Sequence, residues 1–308
     1  LRLARSFARM MRLIRDQGID IINTHRSEDH SFGLLAKYLS GIKLVNTRGD
    51  QRRIKAHYFS GWRYRQTDAL ILTCRQQLED NRRVFANVEG RVHIIHGSVD
   101  EDHFRPHALP SQTAQKYDLP AEKTIFAMVG RLSRVKDQVR FVDTAIALIR
   151  QRQSDDLHFL VAGKDVDLSQ AELLQRVRDN GMEDHFTFLA QVDDIADVIN
   201  LVDVGVILSI ESETISRVLL EFMYLAKPVI ATNVNAVGEI VVPGATGDRI
   251  PIQDSPALLS AMRHFADDHE RRQRCGREAA NVYAQSYSEA SFLRRYETVF
   301  NRVMKETR

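Results

Sequence analysis

Ser209-Ile-Glu-Ser-Glu213-Thr-Ile-Ser216-Arg-Val-Leu-Leu-Glu221-Phe-Met-Tyr-Leu-Ala-Lys-Pro228-Val-Ile-Ala-Thr232 is the stretch from which the fold is read. The apolar run Val204 to Leu208 leads into it and predicts a short buried strand. After Ser216, the residues Val218, Leu219, Phe222, Met223 and Leu225 recur at the spacing of a helix with one buried face. Val229 to Thr232 is again short, apolar and β-branched. Strand, helix and strand in this order predict a parallel sheet covered by helices. Glu213 falls in the strand-to-helix loop and Glu221 on the helix.

The same alternation extends in both directions. Residues 1 to 17 read as an amphipathic helix, Ile19 to Thr24 as a strand and Ser31 to Leu39 as a helix. Lys43 to Thr47, Ala69 to Thr73 and Val92 to His96 read as three further strands. A turn-rich stretch, Pro106 to Pro120, interrupts the pattern, so the linker is expected near residues 104 to 120. Beyond it, Thr124 to Val129, His158 to Ala162 and Phe186 to Leu189 read as strands, and Asp137 to Arg150 as a helix. Residues 255 to 308 read as helical, with Leu258, Leu259, Met262 and Phe265 on one apolar face and Phe292, Leu293, Tyr296, Val299 and Phe300 on another.

The 308 residues suffice for two domains, and 44% hydrophobic with 27% charged residues is an ordinary globular composition. No apolar run approaches the roughly 18 to 20 residues that span a bilayer, and no secretory signal is read. The expected location is the cytoplasm. Cys74 and Cys275 have no partner motif, so neither a disulfide framework nor a thiolate metal site is expected. Residues 1 to 100 carry 18 Lys and Arg against 10 Asp and Glu, while the rest of the chain carries 25 against 31. A basic first half suits an anionic acceptor, or peripheral contact with an anionic membrane at its inner face. Solvated helix faces would give the same count. Nothing resembles a nucleic-acid module, so no nucleic-acid partner is expected. No Gly-x-Gly-x-x-Gly follows a strand, which excludes the usual dinucleotide fingerprint, and no phosphate-loop motif of the kinase type is present.

Several stretches resemble one family. Besides Glu213 and Glu221, these are Asn23-Thr-His25, Gly33-Leu-Leu-Ala, Gly41-Ile-Lys-Leu-Val-Asn-Thr47, Ser98-Val-Asp100 with Phe104-Arg-Pro106, Val129-Gly-Arg-Leu132 with Lys136-Asp137, Pro228-Val-Ile-Ala-Thr232, and Gly238-Glu-Ile-Val241. In this order they resemble the retaining glycosyltransferases of the GT-B, family 4 type (glycosyl transferases group 1), which include lipopolysaccharide, mannosyl and sucrose-type enzymes. The resemblance implies an α/β GT-B fold, with two Rossmann-like domains whose parallel sheets face each other across a cleft. The expected divisions are an acceptor-side domain over residues 1–105, a nucleotide-sugar domain over 106–285, and a terminal helix over 286–308 crossing back to the first domain. The family's opening strand and Gly-rich loop have no counterpart here, so the first domain is expected to be truncated at its start.

The resemblance further implies sugar transfer from a UDP-, GDP- or ADP-linked donor to a glycan or glycolipid, in lipopolysaccharide or surface polysaccharide synthesis, with retention and without a required cofactor or metal. Arg131 and Lys136, beside Gly130, are the expected cations for the departing diphosphate. Their position between a strand end and a helix start also favours an anion on elementary grounds. Glu221 is expected to accept the ribose hydroxyls, and Glu213 to lie near the donor sugar or its phosphates. The family usually follows the first glutamate with Gly-Phe-Gly; this chain has Thr214-Ile215-Ser216, and Ser216 could cap the helix. His25 and Arg48 end two strands and are the expected contacts to the acceptor or transferred sugar. Asp165-Val-Asp167 matches a divalent-metal motif, but in a loop where the family has no ligand. His93, His96, His103 and His107 are not expected to converge on a metal. Two other readings remain: a nucleotide-sugar epimerase of the same fold, and a degenerate transferase-like binding protein.

Overall fold

The computed structural model describes residues 2–105, 111–211 and 216–305. Two compact units result, residues 1–96 with 290–308, and residues 97–289. The stretch 97–105, read from the sequence as part of the first domain, is tied to the second unit. Tyr283 Oη donates to the Glu101 carboxylate at 3.0 Å, and Tyr224 Oη to the Glu101 carbonyl at 3.3 Å.

In the first unit, α1 (Arg2–Asp16), β1 (Ile21–Thr24), α2 (Ser27–Ser40), β2 (Lys43–Arg48), α3 (Tyr58–Arg65), β3 (Ala69–Leu72), α4 (Arg75–Asp80), α5 (Arg82–Phe85) and β4 (Val92–Ile94) follow in order. The four strands form one parallel sheet in sequence order. The second unit contains α6 (Ser111–Lys116), β5 (Thr124–Val129), α7 (Gln138–Arg152), β6 (Leu157–Ala162), α8 (Gln170–Arg178), β7 (Phe186–Leu189), α9 (Ile195–Leu201) and β8 (Val204–Ile207). It continues with α10 (Arg217–Tyr224), β9 (Val229–Thr232), α11 (Asn235–Ile240), β10 (Gly247–Ile250), α12 (Ser255–Asp267) and α13 (His269–Ser286). The last helix, α14 (Glu289–Lys305), places Val299 and Val303 in a core with Val45, Ala69 and Ile71 of the first sheet.

The second sheet is entirely parallel, in the order β10-β9-β8-β5-β6-β7. Its central strands are buried on both faces, which is why they read as continuous apolar runs rather than alternating ones. Successive strands step away from β5 in one direction and, from β8 on, in the other. The loops leaving β5 and β8 therefore diverge at the point where the order reverses, which opens a crevice at the carboxyl ends of adjacent strands. Its helices begin with local capping: Asp254 accepts from the Ala257 N–H at 2.8 Å and Asp268 from the Arg271 N–H at 2.7 Å.

Candidate functional site

The crevice of the second unit is shaped by glycines. Gly130, just past β5, has φ of +143°, a conformation open to glycine and strained for other residues. A Cβ built there would meet no atom within 4 Å, so packing does not require the glycine and the space beside it is open. Gly163, just past β6, holds the loop from behind: a Cβ there would fall 1.9 Å from the Gly130 carbonyl oxygen. The strand-end loops can approach this closely because one of them has no side chain.

Between Gly130 and α7 the chain makes a short 3-10 turn, Arg134–Lys136, and Asp137 then adopts a left-handed conformation with φ of +59°. The helix expected from Asp137 accordingly begins at Gln138. That glutamine, 1% exposed, clamps the loop: its amide donates to the Arg131 carbonyl at 2.8 Å and its carbonyl accepts from the Ser133 N–H at 3.3 Å. Asp167 accepts from the Arg134 N–H at 2.9 Å, and Asp165 from the Gln170 N–H at 3.1 Å. The carboxylates of the Asp-x-Asp motif thus hold backbone. Among the described residues no group of three or more His, Cys, Asp or Glu is placed to hold a metal ion.

On the other side of the crevice lies α10. A Cβ at Gly205 in β8 would fall 2.6 Å from the Phe222 ring, so the glycine lets this helix lie directly on the strand. The Ile210 N–H donates to the Val135 carbonyl at 2.9 Å, which joins the loop after β8 to the turn carrying Lys136. A small cavity is lined by Gly130, Lys136, Gln138, Ile207 and Val218. Val218 and Glu221 are three apart on one helix and share a face, about 5–6 Å between Cβ atoms. The structure therefore gathers Gly130, Lys136, Gln138 and Val218 around one cavity, with Arg131 exposed within electrostatic reach of Lys136 and Glu221 one turn beyond Val218 on α10.

Electrostatics mark the same residues. Burial, and then the neighbouring Arg131 guanidinium, pull the Lys136 ammonium down to about 8. Burial pushes the Glu221 carboxyl up to about 7, against the opposing pull of Arg217 and His103. Both groups are held in environments that disfavour their charged forms, a pattern concentrated at functional sites. Ser216 occupies the N-cap position of α10 but makes no capping bond; its hydroxyl, 2% exposed as a residue, has no partner among the described residues. Glu213 and Thr214 lie outside the described residues, as does His107.

His25 and Arg48 belong to the first unit, where the β1 and β2 register sets them at the carboxyl ends of adjacent strands. His25 is exposed beside a cavity of about 320 Å³ also lined by Phe7, Met10, Asn23, Asp29 and Phe32. Arg48 is 6% exposed; it donates to the Arg52 carbonyl, and its Nε has no partner among the described residues. Gln138 and Gly163 did not stand out in the sequence, and His103 figures there as one of four histidines not expected to bind a metal. His103 lies within electrostatic reach of Glu221 and 3.3 Å from the Asp194 carboxylate. Its other signal in the sequence is a place inside the Ser98-to-Pro106 motif.

Residues 123–268 match the family model described as glycosyl transferases group 1. Over 97% of its length, the chain is 21% identical to the N-acetyl-alpha-D-glucosaminyl L-malate synthase of Bacillus anthracis, spanning 79% of that protein. Over 75% of its length, it is 29% identical to the lipopolysaccharide core biosynthesis mannosyltransferase LpsB of Rhizobium meliloti (strain 1021), spanning 64% of that protein, just under two thirds. The crystal structure of Anabaena Alr3699/HepE in complex with UDP superposes with a TM-score of 0.82 at 18% identity, covering 98% of this chain and 83% of that one. At that identity the superposition establishes the fold, a GT-B arrangement of two parallel sheets.

Proposed function

Residues 123–268 form a glycosyl transferases group 1 domain, and on that premise we propose that the chain moves a sugar from a nucleotide-diphosphate sugar to a glycan or glycolipid acceptor, with retention at the anomeric carbon. The observation that supports this reading is the crevice where strand order reverses: an open glycine turn and the Lys136 ammonium line it with Val218 of the facing helix, and the half-buried Glu221 carboxylate follows one turn along that helix. The carboxylate of Glu221 receives the two ribose hydroxyls. Backbone N–H groups around Gly130, with Arg131 and Lys136, receive the diphosphate.

In the reaction the bond from the anomeric carbon to the phosphate oxygen breaks as the carbon becomes oxocarbenium-like. The acceptor oxygen attacks from the same face, and its proton passes to the departing phosphate. Arg131 and Lys136 meet the charge that grows on that phosphate, which is the role usually supplied by preorganised cations. Because fixed cations provide this charge, turnover is expected to persist in a metal chelator. His25 and Arg48 contact the acceptor, and the buried guanidinium of Arg48 suits an acidic one. The relative named as a lipopolysaccharide core biosynthesis mannosyltransferase, together with the basic first unit, favours a lipid-linked or polysaccharide acceptor at an anionic membrane surface.

A screen of UDP-, GDP- and ADP-sugars for donor hydrolysis and for transfer to membrane glycolipid extracts tests the reading. One donor should be consumed, faster with acceptor present than without. Consumption of none, together with no nucleotide binding by the chain, would sink the proposal.

A further inference from the structure

We infer that α2 and α3 of the first unit form a docking surface for an anionic phospholipid bilayer. The residues that compose it are exposed, apolar and adjacent. On α2, Leu35, Tyr38 and Leu39 share one face and point to solvent, with Tyr38 58% and Leu39 63% exposed. At the start of α3, Tyr58 is 83% and Phe59 55% exposed. The two helices meet where Tyr38 stacks with Trp62 at 6.2 Å, and within α3 Phe59 stacks with Trp62 at 5.5 Å between centroids. Scattered exposed apolar residues are ordinary, but a contiguous cluster of this kind marks an interaction site.

Charge identifies the occupant. From Gln51 to Gln66 the chain carries Arg52, Arg53, Lys55, Arg63 and Arg65 and no acidic residue; Arg52 and Arg53 pair with Asp50 and Asp80, and Lys55, Arg63 and Arg65 have no ion-pair partner among the described residues. Lys55 and His57 are exposed directly before α3. Neighbouring α1, which meets α2 through Phe7 and Phe32, carries exposed Arg5, Arg9 and Arg12 at helical spacing. Rings with polar edges beside cations are the composition that settles at the headgroup boundary of an anionic bilayer, with the rings in the acyl margin and the cations on the phosphates. A nucleic acid fits less well. Trp62 is stacked with both Tyr38 and Phe59, and the exposed Leu35 and Leu39 offer a base nothing. The choice of a bilayer also rests on the proposed function, since a transferase acting on a lipid-linked acceptor must reach the membrane.

Trp62 is the only tryptophan in the chain, so its emission reports directly on this surface. The full chain is mixed with vesicles of phosphatidylcholine alone or of phosphatidylcholine with phosphatidylglycerol. Trp62 emission should shift to the blue and the protein should co-sediment with the anionic vesicles only, and less so in high salt. Tyr58→Ser/Phe59→Ser, at two exposed positions, should lower the partition about tenfold or more. Lys55→Gln should lower it about fivefold. UDP, GDP and ADP binding is measured alongside: if nucleotide binding survives while no vesicle shifts Trp62, the docking surface is refuted and the transferase reading stands. Self-association abolished by the Tyr58/Phe59 variant, or tight binding of a single-stranded oligonucleotide without vesicle binding, would refute it equally.

Discussion

Replacing Glu221 with Gln should move stability and ligand affinity in opposite directions. The carboxyl sits at about 7 instead of 4.5, chiefly because of burial. A raised acid pKa means that the folded protein retains a proton which the unfolded chain loses between pH 4.5 and 7. Stability from this group is therefore full below pH 4.5 and lost as pH rises through 7. At pH 8 the wild type carries an ionised, half-buried carboxylate whose cost is on the order of 3 kcal/mol, because each tenfold loss of acidity is worth about 1.4 kcal/mol. Glu221→Gln removes that charge while keeping the shape, so the melting temperature at pH 8 should rise by several degrees, with a ceiling of about 10 °C. At pH 4 the gain should vanish. A neutral amide also accepts hydroxyl hydrogen bonds less strongly than a carboxylate. The affinity for whichever of UDP, GDP or ADP the wild type binds should accordingly fall about 10- to 100-fold, as loss of a charge-assisted hydrogen bond implies. Scanning calorimetry and titration calorimetry read the two effects. A variant that is destabilised at pH 8, or that binds the nucleotide as the wild type does, refutes the assignment.

Lys136→Ala and Arg131→Ala should each lower kcat about 10²- to 10³-fold in a transfer assay, as removal of one preorganised donor to a developing charge does. Because the Lys136 ammonium of the free protein is pulled down to about 8, kcat/KM for the donor should fall as pH rises through that value, and Lys136→Arg should move this limb upward; a kcat/KM profile flat to pH 10 contradicts the role. Gly163→Ala should destabilise the second unit more than Gly130→Ala, since its Cβ would collide with a carbonyl at 1.9 Å whereas the other meets only open space. Equal thermal shifts would contradict this. His25→Ala and Arg48→Met should reduce transfer to the acceptor while nucleotide affinity stays unchanged, which titration calorimetry and transfer kinetics separate.

The legibility of the chain followed burial. Strands β5, β6, β8 and β9 are enclosed on both faces, and their apolar runs located them within a residue or two. By contrast, β10 reads Gly-Asp-Arg-Ile and lies at the sheet edge, where polar side chains are tolerated; nothing in its composition distinguished it from loop. Gly130, Arg131, Lys136 and Glu221 were named through the family resemblance, because the motifs that carry it are local to a strand end or a helix. Gln138 and Gly163 escaped because their roles are contacts made by the folded chain, across a turn or between two strand ends. The expected cap by Ser216 failed for a related reason: its position at the helix start was right, but its hydroxyl is turned into a buried place without a partner among the described residues. Residues 51–66 display their cations and rings openly in the sequence, yet only the packing of α2 against α3 shows that the rings form one surface.

A crystal structure of the chain with its nucleoside diphosphate bound tests the central claim most directly. The diphosphate should lie within hydrogen-bond distance of the Gly130 turn and the Lys136 ammonium, with both ribose hydroxyls on the Glu221 carboxylate. A nucleotide bound elsewhere, or bound here with its ribose turned away from Glu221, would contradict it.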